Sequence, residues 1–279
     1  MIPAIFHFIY FTPEQAPVKV FPLSYFLAIE SARVINQPVE VVFHFNREPA
    51  GAWWERIKPV LTLHKMEAPV NFMGRRIIHP AHQADVVRLQ ALYETGGIYL
   101  DLDTISVKPL SDFYSKSMVM GLELKAPYVP KNKRQEIKYN FRKALGLVKP
   151  YQEESVLCNG VILAEKKSDF LKLWMNSYKT FRSAGRDKFW NEHSSFIPGK
   201  LAAEHPHLIT IAGHRCFHYP LYTQEGLRSM FETVTPFPES YLHHIWESFS
   251  WNDYLSKLTV EGIQTIDTTY NLAARKILL

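Results

Sequence analysis

The stretch Ala81–Leu110, AHQADVVRLQALYETGGIYLDLDTISVKPL, decides the fold. From Ala84 to Thr95 the apolar residues Val86, Val87, Leu89, Ala91, Leu92 and Tyr93 interleave with polar ones at helical spacing, which predicts a helix with one buried face. Gly96 and Gly97 stop it, because glycine accepts the backbone conformations that end a helix and reverse the chain tightly. The run Ile98 to Leu102, β-branched and aromatic, then reads as a buried strand leading into Asp101, Leu102 and Asp103. Strand alternation puts Tyr99, Asp101 and Asp103 on one face and Ile98, Leu100 and Leu102 on the other.

Two carboxylates side by side at the end of a buried strand repel unless a cation or hydrogen-bond donors compensate them, and a divalent metal is the simplest compensation. Asp85 and Arg88 stand one helical turn apart on the preceding helix and can point at the same strand end. A guanidinium there suits a phosphate or a carboxylate, since its planar fork donates bidentately. Taken singly, Asp-x-Asp marks a solvated turn and Asp85 with Arg88 a surface ion pair. In the order Ala-Asp-x-x-Arg, Leu-Tyr, Gly-Gly-Ile-Tyr-Leu-Asp-Leu-Asp, they describe a site for a diphosphate.

Outward from this stretch, strands and helices alternate. Ile2 to Phe11 reads as a first buried strand ended by Thr12 and Pro13, Pro17 to Ile35 as a helix, and Val39 to Phe45 as a second strand. A short helix over Gly51 to Lys58 and a short strand over Val60 to His64 follow. Beyond the motif come strands Met118 to Leu124 and Val156 to Ala164, a helix Phe170 to Arg182 capped by Ser168 and Asp169, and a strand Leu208 to Ala212. Val260 to Leu279 reads as a closing helix. Such alternation predicts an α/β fold with a mainly parallel central sheet covered by helices on both faces. One domain, 1–279, is expected, with a basic insertion at about 126–154 and a site-closing segment at about 241–279.

The chain has 279 residues, 47% hydrophobic and 21% charged, which suffices for a full core. No apolar run reaches the length of a membrane span and MIPAIFHFIYFTPEQ lacks the features of a signal peptide, so a cytoplasmic location is expected. Cys158 and Cys216 are too few for a disulfide framework. A net charge of +5 is compatible with anionic nucleotide donors, acidic glycans or a membrane surface, and no nucleic-acid partner is expected. The Lys- and Arg-rich insertion is a candidate for acceptor binding or peripheral membrane contact, or else a solvated loop.

The run around Gly96 to Asp103 resembles the glycosyltransferases described as having a sugar-binding region containing a DXD motif, a family that includes yeast initiating mannosyltransferases, α-galactosyltransferases and clostridial glucosylating toxin domains. The resemblance implies the GT-A fold and a metal-dependent, retaining transfer of a hexose from a nucleotide-diphosphate sugar, with UDP favoured and GDP-mannose as the other candidate. The acceptor would be a glycan, a lipid-linked sugar or a protein. Asp101 and Asp103 would hold Mn2+ or Mg2+ at the diphosphate, and Asp85 and Arg88 would fix sugar hydroxyls and a phosphate. Tyr10 occupies the place where the toxins stack an aromatic residue on the base, although a core tyrosine reads equally well. Asn159, polar within the strand-like VLCNGVILA, matches an asparagine that contacts the donor sugar; a structural asparagine at a bulge is the alternative. Tyr99, Ser250 and Trp251 complete the expected donor site. YLHHIWESFSWND resembles the family's His-x-Trp and Ser-Trp elements, with one residue more between Trp246 and Ser250. His244, in the His-x-Trp unit, is the expected third metal ligand. FIPGK departs from the family's Thr-Gly-Pro.

Two other readings share these residues. Asp-Leu-Asp after an apolar strand also resembles haloacid-dehalogenase-like phosphatases, with Asp101 as nucleophile and Asp103 as acid/base. A non-catalytic sugar-binding module on the same fold is the third.

Overall fold

The apolar runs assemble into one central sheet in the computed structural model, which describes residues 1–125, 133–147 and 155–278. Its strands in chain order are β1 (Ile5–Tyr10), β2 (Glu40–Phe45), β3 (Thr62–Lys65), β4 (Asn71–Phe72), β5 (Arg75–Arg76) and β6 (Gly97–Leu100). They continue as β7 (Thr104–Ser106), β8 (Met118–Leu124), β9 (Ser155–Ala164), β10 (Thr210–Ala212) and β11 (Leu242–His244). The helices are α1 (Leu23–Asn36), α2 (Ala52–Ile57), α3 (Pro80–Thr95), α4 (Lys133–Ala144), α5 (Asp169–Ser177) and α6 (Ile197–Glu204). Short α7 (His214–Phe217), α8 (Gln224–Phe231), α9 (Glu247–Ser250), α10 (Val260–Thr265) and α11 (Thr269–Arg275) finish the chain.

Seven strands lie in the order β10-β8-β9-β6-β1-β2-β3. Every neighbouring pair is parallel except the two made by β9, which runs against both β6 and β8. Because the central strands are covered on both sides, their sequences are apolar at nearly every position. One core joins Phe6, Phe8, Phe43, Ile98 and Leu163 to α1; the other joins Ile9, Tyr99, Met120 and Ile162 to α3 and α5. Each fully buried phenylalanine or leucine contributes about 1.5–3 kcal/mol of transfer free energy, so the two cores make the sheet a stiff platform for what its edges carry.

One polar row crosses this platform. His7 Nε2 lies 3.0 Å from the Gly96 carbonyl, His7 Nδ1 lies 3.1 Å from His44 Nε2, and His44 Nδ1 lies 2.9 Å from His64 Nδ1. A carbonyl can only accept, so His7 donates from Nε2, His44 donates to His7, and His64 donates to His44. Burial, with His7 and His64 adding to it, lowers the His44 pKa to about 3, and burial lowers that of His7 as well, so these two rings are held neutral.

The boundaries differ from expectation at several places: α1 begins at Leu23 and not Pro17, and α5 ends at Ser177 with a 3-10 turn over Tyr178–Thr180 where the sequence predicts a helix to Arg182. The strand carrying the motif ends at Leu100, and Asp101 to Asp103 form a turn before β7. The expected closing helix is two helices, since Thr259 caps α10 by accepting from Gly262 N and Thr268 caps α11 by accepting from Asn271 N. The Asn271 side chain also donates to the carbonyls of Gly262 and Ile266, so the break is satisfied internally. Of the basic insertion, α4 and the turn after it are described, and α4 buries no residue; residues 126–132 and 148–154 lie outside the described residues.

Candidate active site

The turn Asp101–Asp103 sits where three pieces of chain meet, and the sequence accounts for each. Gly97, with φ 119°, makes the turn from α3 into β6; a Cβ there would lie 2.3 Å from the Ile5 carbonyl, so only glycine lets β6 approach β1 this closely. On the other side β9 carries an irregularity. Ile162 opposes Met120 and Cys158 opposes Gly121, which leaves Asn159, Gly160 and Val161 without counterparts on β8. On its other side β9 stays in register with β6, so the Gly160 carbonyl accepts from the Asp101 N–H at 2.9 Å next after the Leu100–Val161 pair, and the Asn159 carbonyl accepts from Arg88.

The third piece is β11. It pairs antiparallel with β7, His244 opposite Thr104, and Ile245 N donates to the Asp103 carbonyl at 2.8 Å. Glu247 N donates to Asp103 Oδ2 at 2.8 Å. Trp246 adopts a left-handed backbone (φ 53°), disfavoured for a bulky residue, and is held there by its indole N–H, which donates to the Pro220 carbonyl at 2.7 Å. Its ring packs against His244 at 4.2 Å between centroids. The expected site-closing segment is therefore docked by strand pairing.

Asp101, Asp103 and His244 converge, with one ligand atom from each within 4.8 Å of the others. His244 Nδ1 lies 3.3 Å from the Trp246 backbone N, and Nε2 faces the carboxylates, 3.5 Å from Asp103 Oδ1 and 3.8 Å from Asp101 Oδ2. Gly160 leaves room for the cluster, since a Cβ on it would lie 2.9 Å from Asp101 Oδ2 and 3.1 Å from His244 Nε2. Two carboxylates and an imidazole around a space that a methyl group would fill form a donor set suited to a divalent ion such as Mn2+. The charges agree with the geometry. Burial opposes ionisation of Asp101, but Arg88 and His244 outweigh it and hold the carboxyl well below the usual range. Burial raises Asp103 against the pull of His244, with the Asp101 charge adding to the rise. Burial also opposes the charge on His244, yet Asp103 and Asp101 push its pKa up to about 9. The cluster calls for positive charge at its centre.

Behind it stands a second, fixed cation. Arg88 is buried, with Nη2 3.1 Å from Asp85 Oδ1, Nη1 3.3 Å from Asp101 Oδ1 and Nη1 2.6 Å from the Asn159 carbonyl. Its guanidinium lies over the Tyr99 ring at 4.3 Å, and the Tyr99 hydroxyl donates to Asp101 Oδ1 at 2.5 Å. Asn159 Nδ2 donates to Asp85 Oδ1 at 2.7 Å. Arg88 thus spends its fork on two carboxylates and a carbonyl and holds Asp101 in place, where the sequence suggested a phosphate contact. Asn159 sits at a bulge and also lines the site, so the two readings of it are not exclusive.

These groups line a cavity of about 510 Å³. Asp85, Arg88, Asp101, Asp103, Asn159 and His244 all face it. Four expected donor-site residues are not in its lining. Tyr10 is 8% exposed and packs with Phe21, Tyr25 and Phe43. Tyr99 lies beneath Arg88. The Ser250 hydroxyl turns inward and donates to the Ile245 carbonyl at 2.6 Å, and Trp251 lies off the cavity on the solvent side of α9. The outer wall comes instead from residues that sequence reasoning missed. A π-helix, Glu192–Phe196, delivers Ser194, Ser195 and Phe196, and Trp190 precedes it. Single-turn π-helices concentrate at functional sites, but Glu-His-Ser-Ser-Phe has no periodicity that announces one. His82 holds this wall to α3, its Nε2 donating to the Trp190 carbonyl at 3.2 Å. Tyr222, Trp246 and Phe249 also line the cavity, as do Glu123 of β8 and Lys125 just beyond it, the latter over the Phe196 ring at 4.8 Å.

Residues 27–120 match the family described as glycosyltransferase sugar-binding region containing DXD motif. With an Asp-x-Asp at the carboxyl end of a central strand, in a cluster that could hold a divalent ion, the chain belongs to this family: it is a GT-A glycosyltransferase that takes its sugar from a nucleotide-diphosphate donor. It is 32% identical over 281 residues to the glucan organizing enzyme 1 of Cryptococcus neoformans var. grubii, covering 99% of this chain and 70% of that protein. An uncharacterized Arabidopsis thaliana protein is 27% identical over 154 residues, 53% of this chain and 19% of its own length. The glycosyltransferase GlyE of Streptococcus pneumoniae superposes with a TM-score of 0.48 at 12% identity, covering 99% of this chain and 63% of that one. The phosphatase and binding-module readings are set aside by the family. Among the described residues, no helix is long and apolar enough to cross a membrane.

Proposed function

We propose that this chain is a manganese- or magnesium-dependent, retaining hexosyltransferase that uses a UDP-sugar and a glycan acceptor. The observation that carries the reading is the cluster of Asp101, Asp103 and His244 in the wall of a cavity that also exposes Asp85. When bound, a divalent ion supplies the positive charge that neutralises a diphosphate leaving group. The chain's own residues do the positioning. Arg88 and Tyr99 lock Asp101, the Glu247 N–H orients Asp103, and the Asp85 carboxylate, tied by Asn159 and Arg88, accepts hydroxyl hydrogen bonds from the donor sugar. Trp190, Phe196, Tyr222, Trp246 and Phe249 in the cavity lining limit water around the transferred sugar.

Asp85, Asp101 and Asp103 each have fixed hydrogen-bond partners, which suits them to binding and not to forming a covalent glycosyl bond. A front-face reaction guided by the leaving phosphate therefore accounts for retention with the groups at hand. A cytosol-facing, membrane-peripheral setting through the basic insertion remains part of this proposal. Among acceptors a glycan is favoured, because the fungal relative is named for glucan. The test is a thermal-shift screen of UDP- and GDP-sugars with and without manganese, followed by anomer analysis of the product. A metal-dependent shift with one donor class and an α-linked product from an α-linked donor is expected; stabilisation without metal, or inverted product, would refute the reading.

A further inference from the structure

A second cavity shares two aromatic residues with the active-site cavity. Tyr222 and Phe249 stack on each other, ring centroids 4.7 Å apart and 23° from parallel. Both line the active-site cavity, and both also line this second cavity, of about 460 Å³. The other walls of that second cavity are Gln224, Leu227, Arg228, Glu232, Asp253 and Tyr254.

Its chemistry is specific. The floor is apolar and stiff: Leu227 is 8% exposed, and the Tyr254 ring stacks on Phe231 at 4.6 Å and 11°. The rim carries planar polar groups. Arg228 Nε lies 3.7 Å from Glu232 Oε2, and the Tyr254 hydroxyl donates to Glu232 Oε1 at 2.6 Å. Thr223 fixes the start of α8 by accepting from Gly226 N at 3.1 Å, so the rim stands on a helix that is held at its first turn. Rings that cover the C–H faces of a pyranose, beside carboxylate, guanidinium and amide groups that pair with vicinal hydroxyls, make a sugar site. Two carboxylates against one guanidinium argue against an anionic occupant such as a phosphate or a nucleotide.

We propose that this second cavity is an acceptor subsite that binds the distal sugars of an oligosaccharide whose reactive end lies in the first cavity. The proposal rests on the transferase reading and narrows its acceptor to an extended glycan. Tyr222 and Phe249 form the wall over which the acceptor passes, and Arg228 and Asp253 read hydroxyls beyond it.

The test uses the full chain with manganese and UDP present. Gluco- and manno-oligosaccharides of one to six units, α- and β-linked, are titrated by saturation-transfer NMR and used as acceptors where they react. Affinity should rise with length in at least one series, and Arg228→Ala and Asp253→Ala should each remove about tenfold of that gain, roughly one charged hydrogen bond. Single-sugar binding, donor hydrolysis and the melting shift with UDP and manganese should stay as in the unsubstituted chain. Affinity independent of length in every series, or a length gain that survives both variants, would overturn the subsite. Binding of a serine- and threonine-containing peptide, lost in the same variants and in place of every oligosaccharide, would overturn the sugar assignment. A failure of UDP and manganese to stabilise the unsubstituted chain would strike the donor site instead, because oligosaccharide titration is read separately.

Discussion

Replacing Gly160 by alanine separates metal binding from folding. The new Cβ would stand 2.9 Å from Asp101 Oδ2 and 3.1 Å from His244 Nε2, where ordinary contact begins at 3.4 Å, so the carboxylate must retreat by about 0.5 Å. Metal sites are defined to about 0.2 Å, and Asp101 cannot follow freely, since Tyr99 and Arg88 hold its other oxygen. The expected loss of manganese affinity is about 10- to 100-fold, the range for disturbing the shell around metal ligands. The backbone at Gly160 is outside the left-handed region, so alanine adopts it without strain and stiffens the unfolded chain by about 0.4–1 kcal/mol. The displacement of Asp101, which the apo protein also needs, offsets that gain, so the apo protein should melt close to the unsubstituted chain while manganese-dependent transfer collapses. Gly199→Ala is the control, because a Cβ there meets nothing within 4 Å. Calorimetric manganese titration with parallel melting curves decides the matter. Unchanged affinity in Gly160→Ala would show that the ion is not held by Asp101 and His244 together.

Asp103→Asn should retain the fold, since its oxygen still accepts from Glu247 N, and should lose metal-dependent turnover; transfer at the unsubstituted rate would contradict the ligand assignment. Arg88→Met leaves Asp85 without its buried counter-ion and Asp101 with His244 alone, and should cost about 3–5 kcal/mol, with Arg88→Lys intermediate in both melting and turnover. A normally melting but inactive Arg88→Lys would restore the phosphate contact. Because the folded pKa of His44 is lowered to about 3 from 6.5, the unfolded chain takes up the proton first. The stability tied to its neutral form is complete above pH 6.5 and is lost on acidification toward pH 3, about 2 kcal/mol by pH 5; denaturant curves of His44→Asn should show that much less acid sensitivity. Tyr10→Ala should destabilise by about 3–5 kcal/mol as a core truncation, and a variant that keeps its melting temperature but loses UDP affinity would return Tyr10 to the base.

What was legible in the sequence was local. The helix bearing Asp85 and Arg88, the glycine stop and the apolar strand each follow from spacing within Ala81–Leu110, and the sheet class follows from alternation of strands and helices. His244 was legible only through its resemblance to a His-x-Trp element, since nothing near Leu242 says that it pairs with β7. Strand alternation predicts a shared face for Asp101 and Asp103, but the strand stops at Leu100 and the two carboxylates converge through the turn that follows it, a change of backbone that the apolar run does not announce. Arg88 looked available for a phosphate because its partners Asp101 and the Asn159 carbonyl lie 13 and 71 residues away. The outer wall had no local signature at all, its residues joined to the site by the contact of His82 with the Trp190 carbonyl.

The pairing of β11 with β7 has a consequence for synthesis of the chain. His244 meets a strand partner, Thr104, that precedes it by 140 residues, and at about 5–20 residues per second the ribosome needs roughly 7–28 seconds to add them. Throughout that interval the acidic turn is present and its imidazole is not. Arg88, made 13 residues before Asp101, is the counter-charge available from the start, which gives it a task as an early escort of the acidic turn during synthesis. The histidine arrives after both carboxylates, and its docking marks the moment at which the three groups of the cluster first stand together.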